Sequence, residues 1–176
     1  MHLSKGDYTP ADDKMLWTLL GKTRINEQHT PSAADCDAFG GHFLARREYR
    51  EAIAYYEKAW EPEKTAPSLK REAPWICLAV DLGTAYGNAG ELKKVKELCE
   101  YALGKEPAYP MLHYNLACTC AELGDKKQAL LALQKAFGFR ANLLPGTHLP
   151  DPKKDPSFAK YMKDPKFVEG LEKMTK

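Results

Sequence analysis

Five cysteines and five histidines are the side chains of this 176-residue chain best suited to metal binding, redox work or nucleophilic catalysis. Their spacing supports none of these. A zinc site draws on close Cys or His pairs, and a redox pair needs C-x-x-C. The cysteines are Cys36, Cys77, Cys99, Cys118 and Cys120, and the nearest two are separated by one residue. Two residues apart on a helix point to different sides. The histidines are scattered, with no H-x3-H spacing. No phosphate loop and no nucleophile–base pattern occurs. The expectation is therefore no cofactor, no metal and no enzymatic activity. An odd cysteine count in a helical chain predicts reduced thiols and a cytoplasmic setting.

Charge is balanced, with 26 Lys and Arg against 24 Asp and Glu and a net charge of +2. That balance gives no general attraction to nucleic acid. Short basic clusters at Arg46-Arg47, Lys93-Lys94-Lys96, Lys126-Lys127 and Lys153-Lys154 read as solvated helix faces. The first apolar run, Met15 to Leu20, follows Asp12-Asp13 rather than a basic segment, so no secretory signal is expected. No run has the length of a membrane span.

The elements that must position any site come from an internal repeat. Leu82 recurs as Leu116, Gly90 as Gly124 and Ala102 as Ala136, each 34 residues on. A fixed period of this size predicts helix pairs that bury their apolar faces only by stacking. In the first of these copies, one helix carries Ala79, Leu82, Gly83 and Tyr86, and Gly90 ends it. The next carries Leu92, Val95, Leu98, Cys99, Ala102 and Leu103 on one face. In the second copy Leu116, Ala117 and Cys120 precede Gly124, and Ala129, Leu130, Leu133, Ala136 and Phe137 follow. Cys99 and Cys120 fall at core positions, where a thiol acts as a small hydrophobe. Prolines 31, 74 and 110 are expected to open the first helix of each pair, with Thr30 capping the earliest. Second helices are expected near Glu48, Glu91 and Asp125.

This pattern resembles the tetratricopeptide repeat, W-x2-L-G-x2-Y…A-x3-F…P over 34 residues. A further copy lies upstream in Phe39-Gly40-x-x-Phe43, Ala52, Tyr56 and Ala59. Gly40 and Gly83 are 43 apart, and the extra length is placed in a connection from Pro62 to Ser68. The repeats are divergent: Cys36, Ala79 and His113 stand at the Trp position, and Phe43, Tyr86 and Cys120 at the Tyr position. The resemblance implies an all-α, short right-handed α-solenoid of three helix pairs, about 31–61, 74–107 and 110–140 within 31–141. An N-terminal extension with a capping helix over 1–30 and a C-terminal part over 142–176 complete it. In that last part Asp155-Pro-Ser-Phe158 returns as Asp164-Pro-Lys-Phe167, similar to the paired D-P-x-F end segments of bacterial members of the family. Phe167, Val168, Leu171 and Met174 should form the apolar face of a closing helix.

The resemblance also implies where a partner would lie, along the concave face of the first helices. The matching positions are Asp37, Gly41 and Leu44; then Cys77, Val80, Asp81, Thr84 and Asn88; then Met111, Tyr114, Asn115, Cys118 and Glu122. Asn115 matches the asparagine that holds a peptide backbone in the family, or it bonds within the helix framework. The positions that clamp a terminal carboxylate in chaperone-binding members hold Asp37 and Gly41, Val80 and Thr84, Tyr114 and Cys118. None is a cation, which argues against that ligand. The expected function is protein–protein interaction with an apolar or basic peptide, no nucleic acid and no membrane. The alternative is homodimer assembly through the ends, with Trp17, Trp60 and Trp75 as anchors. A third possibility is that the chain's own terminal helix fills the groove.

Overall fold

The computed structural model describes residues 32–65 and 73–175, and the expected N-terminal helix, Trp17, Thr30 and Pro31 lie outside them. Seven α-helices are described: α1 (Ala33–Ala45), α2 (Tyr49–Thr65), α3 (Ala73–Asn88), α4 (Leu92–Lys105), α5 (Pro110–Glu122), α6 (Lys126–Gly138) and α7 (Pro165–Thr175). Two 3-10 turns, Arg140–Asn142 and Pro156–Tyr161, join α6 to α7, and no strand occurs among the described residues. Each helix from α1 to α6 packs on the next. In addition α3 touches both α1 and α5, so the odd-numbered helices form a row.

The turns explain this regularity. Gly90 and Gly124 have φ of 81° and 87°, and Arg47 has φ 62°. In all three places the same bonds form. Glu48 N–H reaches Phe43 O, Glu91 N–H reaches Tyr86 O, and Asp125 N–H reaches Cys120 O. One residue earlier, Arg47, Gly90 and Gly124 donate to Leu44, Gly87 and Ala121. This paired closure is the left-handed helix stop. The carbonyls of Glu48, Glu91 and Asp125 then accept the first bonds of α2, α4 and α6. Second helices thus begin where the sequence places them.

Two boundaries differ from expectation. The α1 cap is Ser32 rather than Thr30, because Ser32 and Asp35 cap each other reciprocally. The Pro62–Ser68 connection starts late, because α2 runs through Pro62 to Thr65. Proline inside a helix loses a backbone bond, so the last turn needs an outside hold. Glu63 provides one: it is buried, accepts from Tyr101 Oη at 3.0 Å and pairs with Lys105 at 3.2 Å.

Small residues set the helix spacing. A Cβ at Gly40 would lie 2.5 Å from the Tyr56 ring. Ala79, Ala85, Ala102, Ala117, Ala121, Ala129 and Ala136 are fully buried. Trp60 and Trp75 meet in a tilted contact with ring centroids 5.5 Å apart inside the first core, so neither is an exposed anchor. A second core joins α5 and α6 to the C-terminal part. There Asp155 and Asp164 cap their segments, and Phe158, Phe167 and Leu171 are fully buried against Leu133 and its neighbours. Val168 and Met174 are half-buried.

Arg47→Gly relieves a left-handed side chain at some cost in unfolded-state entropy. It should stabilise the fold by about 0.5–1 kcal/mol. Gly40→Ala must displace the Tyr56 ring and should cost about 2–3 kcal/mol. Thermal melts of the two variants check both signs.

Candidate functional site

The row α1, α3, α5 presents one face whose side chains repeat at i, i+4, i+7 and i+11. On α3 these are Cys77, Asp81, Thr84 and Asn88. On α5 they are Met111, Asn115, Cys118 and Glu122. The matching α1 positions are Ala34, Ala38, Gly41 and Ala45, so the face is shallow there. Asn115 Nδ2 donates to Val80 O at 3.2 Å and ties α5 to α3. Gly83 leaves room for that amide, since a Cβ there would be 3.1 Å from it. The Asn115 amide nitrogen therefore serves the helix framework. Thr84 Oγ1 donates to Val80 O and Asn88 Nδ2 to Thr84 O, both at 2.9 Å.

A pocket of about 440 Å³ opens between α3 and α5. Thr84, Asn88, Met111, Tyr114, Asn115, Cys118 and Glu122 all line it. Asp37, Gly41, Leu44, Val80 and Asp81 do not, and they sit half-buried nearer α1. Cys77 is exposed. The pocket's far wall is Pro150, Asp155, Pro156 and Ser157, from the chain's own C-terminal part. Asp155 was legible in sequence as a helix cap, and its second role was not. It accepts from Tyr114 Oη at 2.9 Å and from Cys118 Sγ at 3.7 Å. Tyr114 is 2% exposed and meets Phe158 edge-on at 6.1 Å. The ring expected to face a peptide is therefore engaged by this chain itself. The end of the face is walled by the C-terminal segment, while the pocket beside it stays open.

The thiols are not poised for nucleophilic chemistry. Burial, then the Asp155 charge, pushes Cys118 upward, and burial pushes Cys99 up to about 12. Both stay protonated near neutrality, and the thiolate is the reactive form. Burial also lowers His113, which stacks on Phe139 at 5.6 Å and holds Pro107 O at 2.7 Å. Among the described residues no group of three or more His, Cys, Asp or Glu side chains is placed to hold a metal ion.

The opposite side of the helices differs in charge. Lys94 pairs with Glu91 at 2.7 Å and Glu57 at 3.1 Å and lies over the Tyr86 ring. Lys93 and Lys96 pair with Glu97 and Glu100 one turn on. Lys126 pairs with Asp164 and Lys153 with Glu172. Most lysines of the basic clusters thus have an acidic partner close by. Asp37 on α1 and Asp81 on α3 have no such ion pair among the described residues. Burial, then the neighbouring Asp37 charge, pushes Asp81 up to about 6, and burial raises Asp37 as well. Beneath them lies Tyr56, fully buried, its hydroxyl without a hydrogen-bond partner. An unsatisfied buried hydroxyl costs about 1–3 kcal/mol. Sequence reading found Tyr56 only as a repeat position, because nothing in its spacing announces a missing partner.

No protein-family model, no curated protein and no solved structure matches the chain. No helix among the described residues is long and apolar enough to cross a membrane.

A raised carboxyl holds its proton in the folded chain where the unfolded chain has lost it. Below about pH 4 both states hold the proton; stability is lost as pH rises from about 4 to about 6, and above that the full penalty stands. Asp81→Asn removes the penalty. It should add about 1 kcal/mol at pH 7.5, after allowance for solvent screening of a half-buried group. The gain should vanish below about pH 4, as read from melting curves across that range.

Proposed function

We propose that this protein is a non-enzymatic interaction module. It is read as a short right-handed solenoid of three tetratricopeptide-like helix pairs with terminal caps, taking an extended peptide segment along the face of α1, α3 and α5. Three equivalent helix stops, 43 and 34 residues apart, support the repeat reading. The observation that carries the function is the open pocket of about 440 Å³ on that face, lined at repeated positions of α3 and α5. Its volume suits a side chain or short segment. Its polar lining includes Asn88, Thr84, Asn115 and Ser157, whose amide and hydroxyl oxygens can accept from the N–H groups of an extended backbone while the Asn115 amide nitrogen serves the framework. Glu122 and Asp155 without a lining cation favour a neutral or basic ligand. Protonated, buried thiols support binding rather than nucleophilic catalysis. In this reading the D-P-x-F part is a cap that also bounds the groove.

Tyr114 is unsuited to testing this, because its removal opens the second core and breaks the bond to Asp155. Asn88 and Glu122 are exposed, so changing them leaves packing intact. Peptides selected from a displayed random library on the full chain are measured against Asn88→Arg with Glu122→Arg. Affinity should fall about tenfold or more, the loss expected of a central contact. Lys93→Ala with Lys94→Ala, on the paired outer side, should change it less than about twofold. The reverse ranking would place binding on the outer side and reject the groove.

A further inference from the structure

We propose that Asp37, Asp81 and the Tyr56 hydroxyl form a subsite for the cationic side chain of a lysine or arginine in the peptide partner. This rests on the reading that the α1, α3, α5 face takes an extended chain. It adds the ligand's chemistry and the place where a charged residue is recognised.

The geometry begins beneath α1. The Tyr56 ring passes under Gly40, where a Cβ would stand 2.5 Å from it, and its hydroxyl ends beside Gly41, 3.6 Å from where a Cβ would be. Gly41 lies one turn beyond Asp37 on the same side of α1. Two adjacent glycines therefore let a phenolic oxygen arrive at the face that carries the acids. Tyr56 is fully buried, and its hydroxyl finds no partner. A phenylalanine would fill the same core without stranding a polar atom.

Charge gives the ligand's sign. Asp37 from α1 and Asp81 from α3 each act on Tyr56, and Asp37 acts on Asp81. The other titratable groups facing Asp81 are Cys77 on the same helix and Tyr109 before α5, both neutral at pH 7. Neither carboxylate has a salt-bridge partner among the described residues, in contrast to the paired outer side. Two half-buried acids held together without a counter-charge each disfavour the other's ionisation. An ammonium or guanidinium placed between them relieves both. Its N–H groups donate to the carboxylates, and a carboxylate turned toward the core accepts from Tyr56 Oη. Among the described residues no three or more His, Cys, Asp or Glu side chains are grouped to hold a metal ion, so the cation proposed is an organic one.

The probes are acetylated, amidated alanine nonapeptides with a central lysine, arginine, norleucine or glutamate. They are titrated into the full chain and followed by carboxyl ¹³C and ring signals. The lysine and arginine peptides should shift Asp37, Asp81 and Tyr56 and lower the Asp81 midpoint from about 6. Their affinity should drop about tenfold between pH 7.5 and pH 5, since a bound proton must leave. Asp81→Asn should weaken the cationic peptides about tenfold and flatten that pH profile. Tyr56→Phe removes only an unpartnered atom, so it should fold and melt no lower, yet bind the lysine peptide more weakly. Equal binding of norleucine and lysine peptides, lost in Asn88→Arg with Glu122→Arg but kept in Asp81→Asn, would overturn the subsite and leave the groove standing. Unchanged lysine binding in Tyr56→Phe would overturn the role given to the hydroxyl. Binding by none of the four would overturn the subsite. The groove falls as well only if library selection on the full chain also returns nothing.

Discussion

The close approach of neighbouring helices is the constraint from which the rest follows. It depends on one position that stays small: Gly40 over the Tyr56 ring, Gly83 against the Asn115 amide, and Ala117 in the second core. A side chain there would push α1 off α2, or α3 off α5. Dispersion and apolar burial fall steeply with such gaps. The same closeness lets Asn115 reach across to Val80 O, so one residue type fixes both helix spacing and the register of the shared face. The shared face is therefore a by-product of how tightly the helices can pack.

The turns set the second condition. A helix pair keeps its angle only if the chain reverses the same way each time, and a left-handed residue does this. Glycine is readable as such a residue, and Gly90 and Gly124 fulfil that expectation. Arg47 does the same work without the signature, so periodicity revealed two stops and concealed the third. Pro62 misleads in the opposite direction. Proline reads locally as a break, yet Glu63, Tyr101 and Lys105 hold the turn that contains it. Local signals placed most helix ends within a residue or two. They failed where a contact from a distant helix overrode them.

Site residues followed the same division. The resemblance put these side chains along one face, and seven of the expected positions line one pocket. A resemblance of first-helix positions does not say what covers them. Tyr114 and Asp155 are 41 residues apart, and their bond depends on how the C-terminal segment returns along α5. The D-P-x-F echo was legible as two caps with buried phenylalanines. That Asp155 would also engage the groove tyrosine was not, because the first role already accounts for its presence.

The electrostatic layout then separates the two ends of the face. At the α5 end, Asp155 is satisfied by a hydroxyl, a thiol and the Ser157 N–H, all from the chain itself. On the outer side, lysines and glutamates pair a turn apart, in geometry worth little energy. At the α1 end, Asp37 and Asp81 lack such neighbours, and a hydroxyl beneath them goes unpaired. Burying charge without a partner opposes folding, and a fold tolerates it only where other contacts outweigh the cost. The well-packed first core, with Phe39, Phe43, Trp60, Trp75 and Leu82, provides that surplus directly beside the acids. The end with the deepest packing thus carries the uncompensated charge, and the end that lacks a following helix pair is closed by its own tail. The two ends of the face thus differ: the chain's own tail engages the α5 end, and the acids without an ion pair among the described residues lie toward α1 and α3.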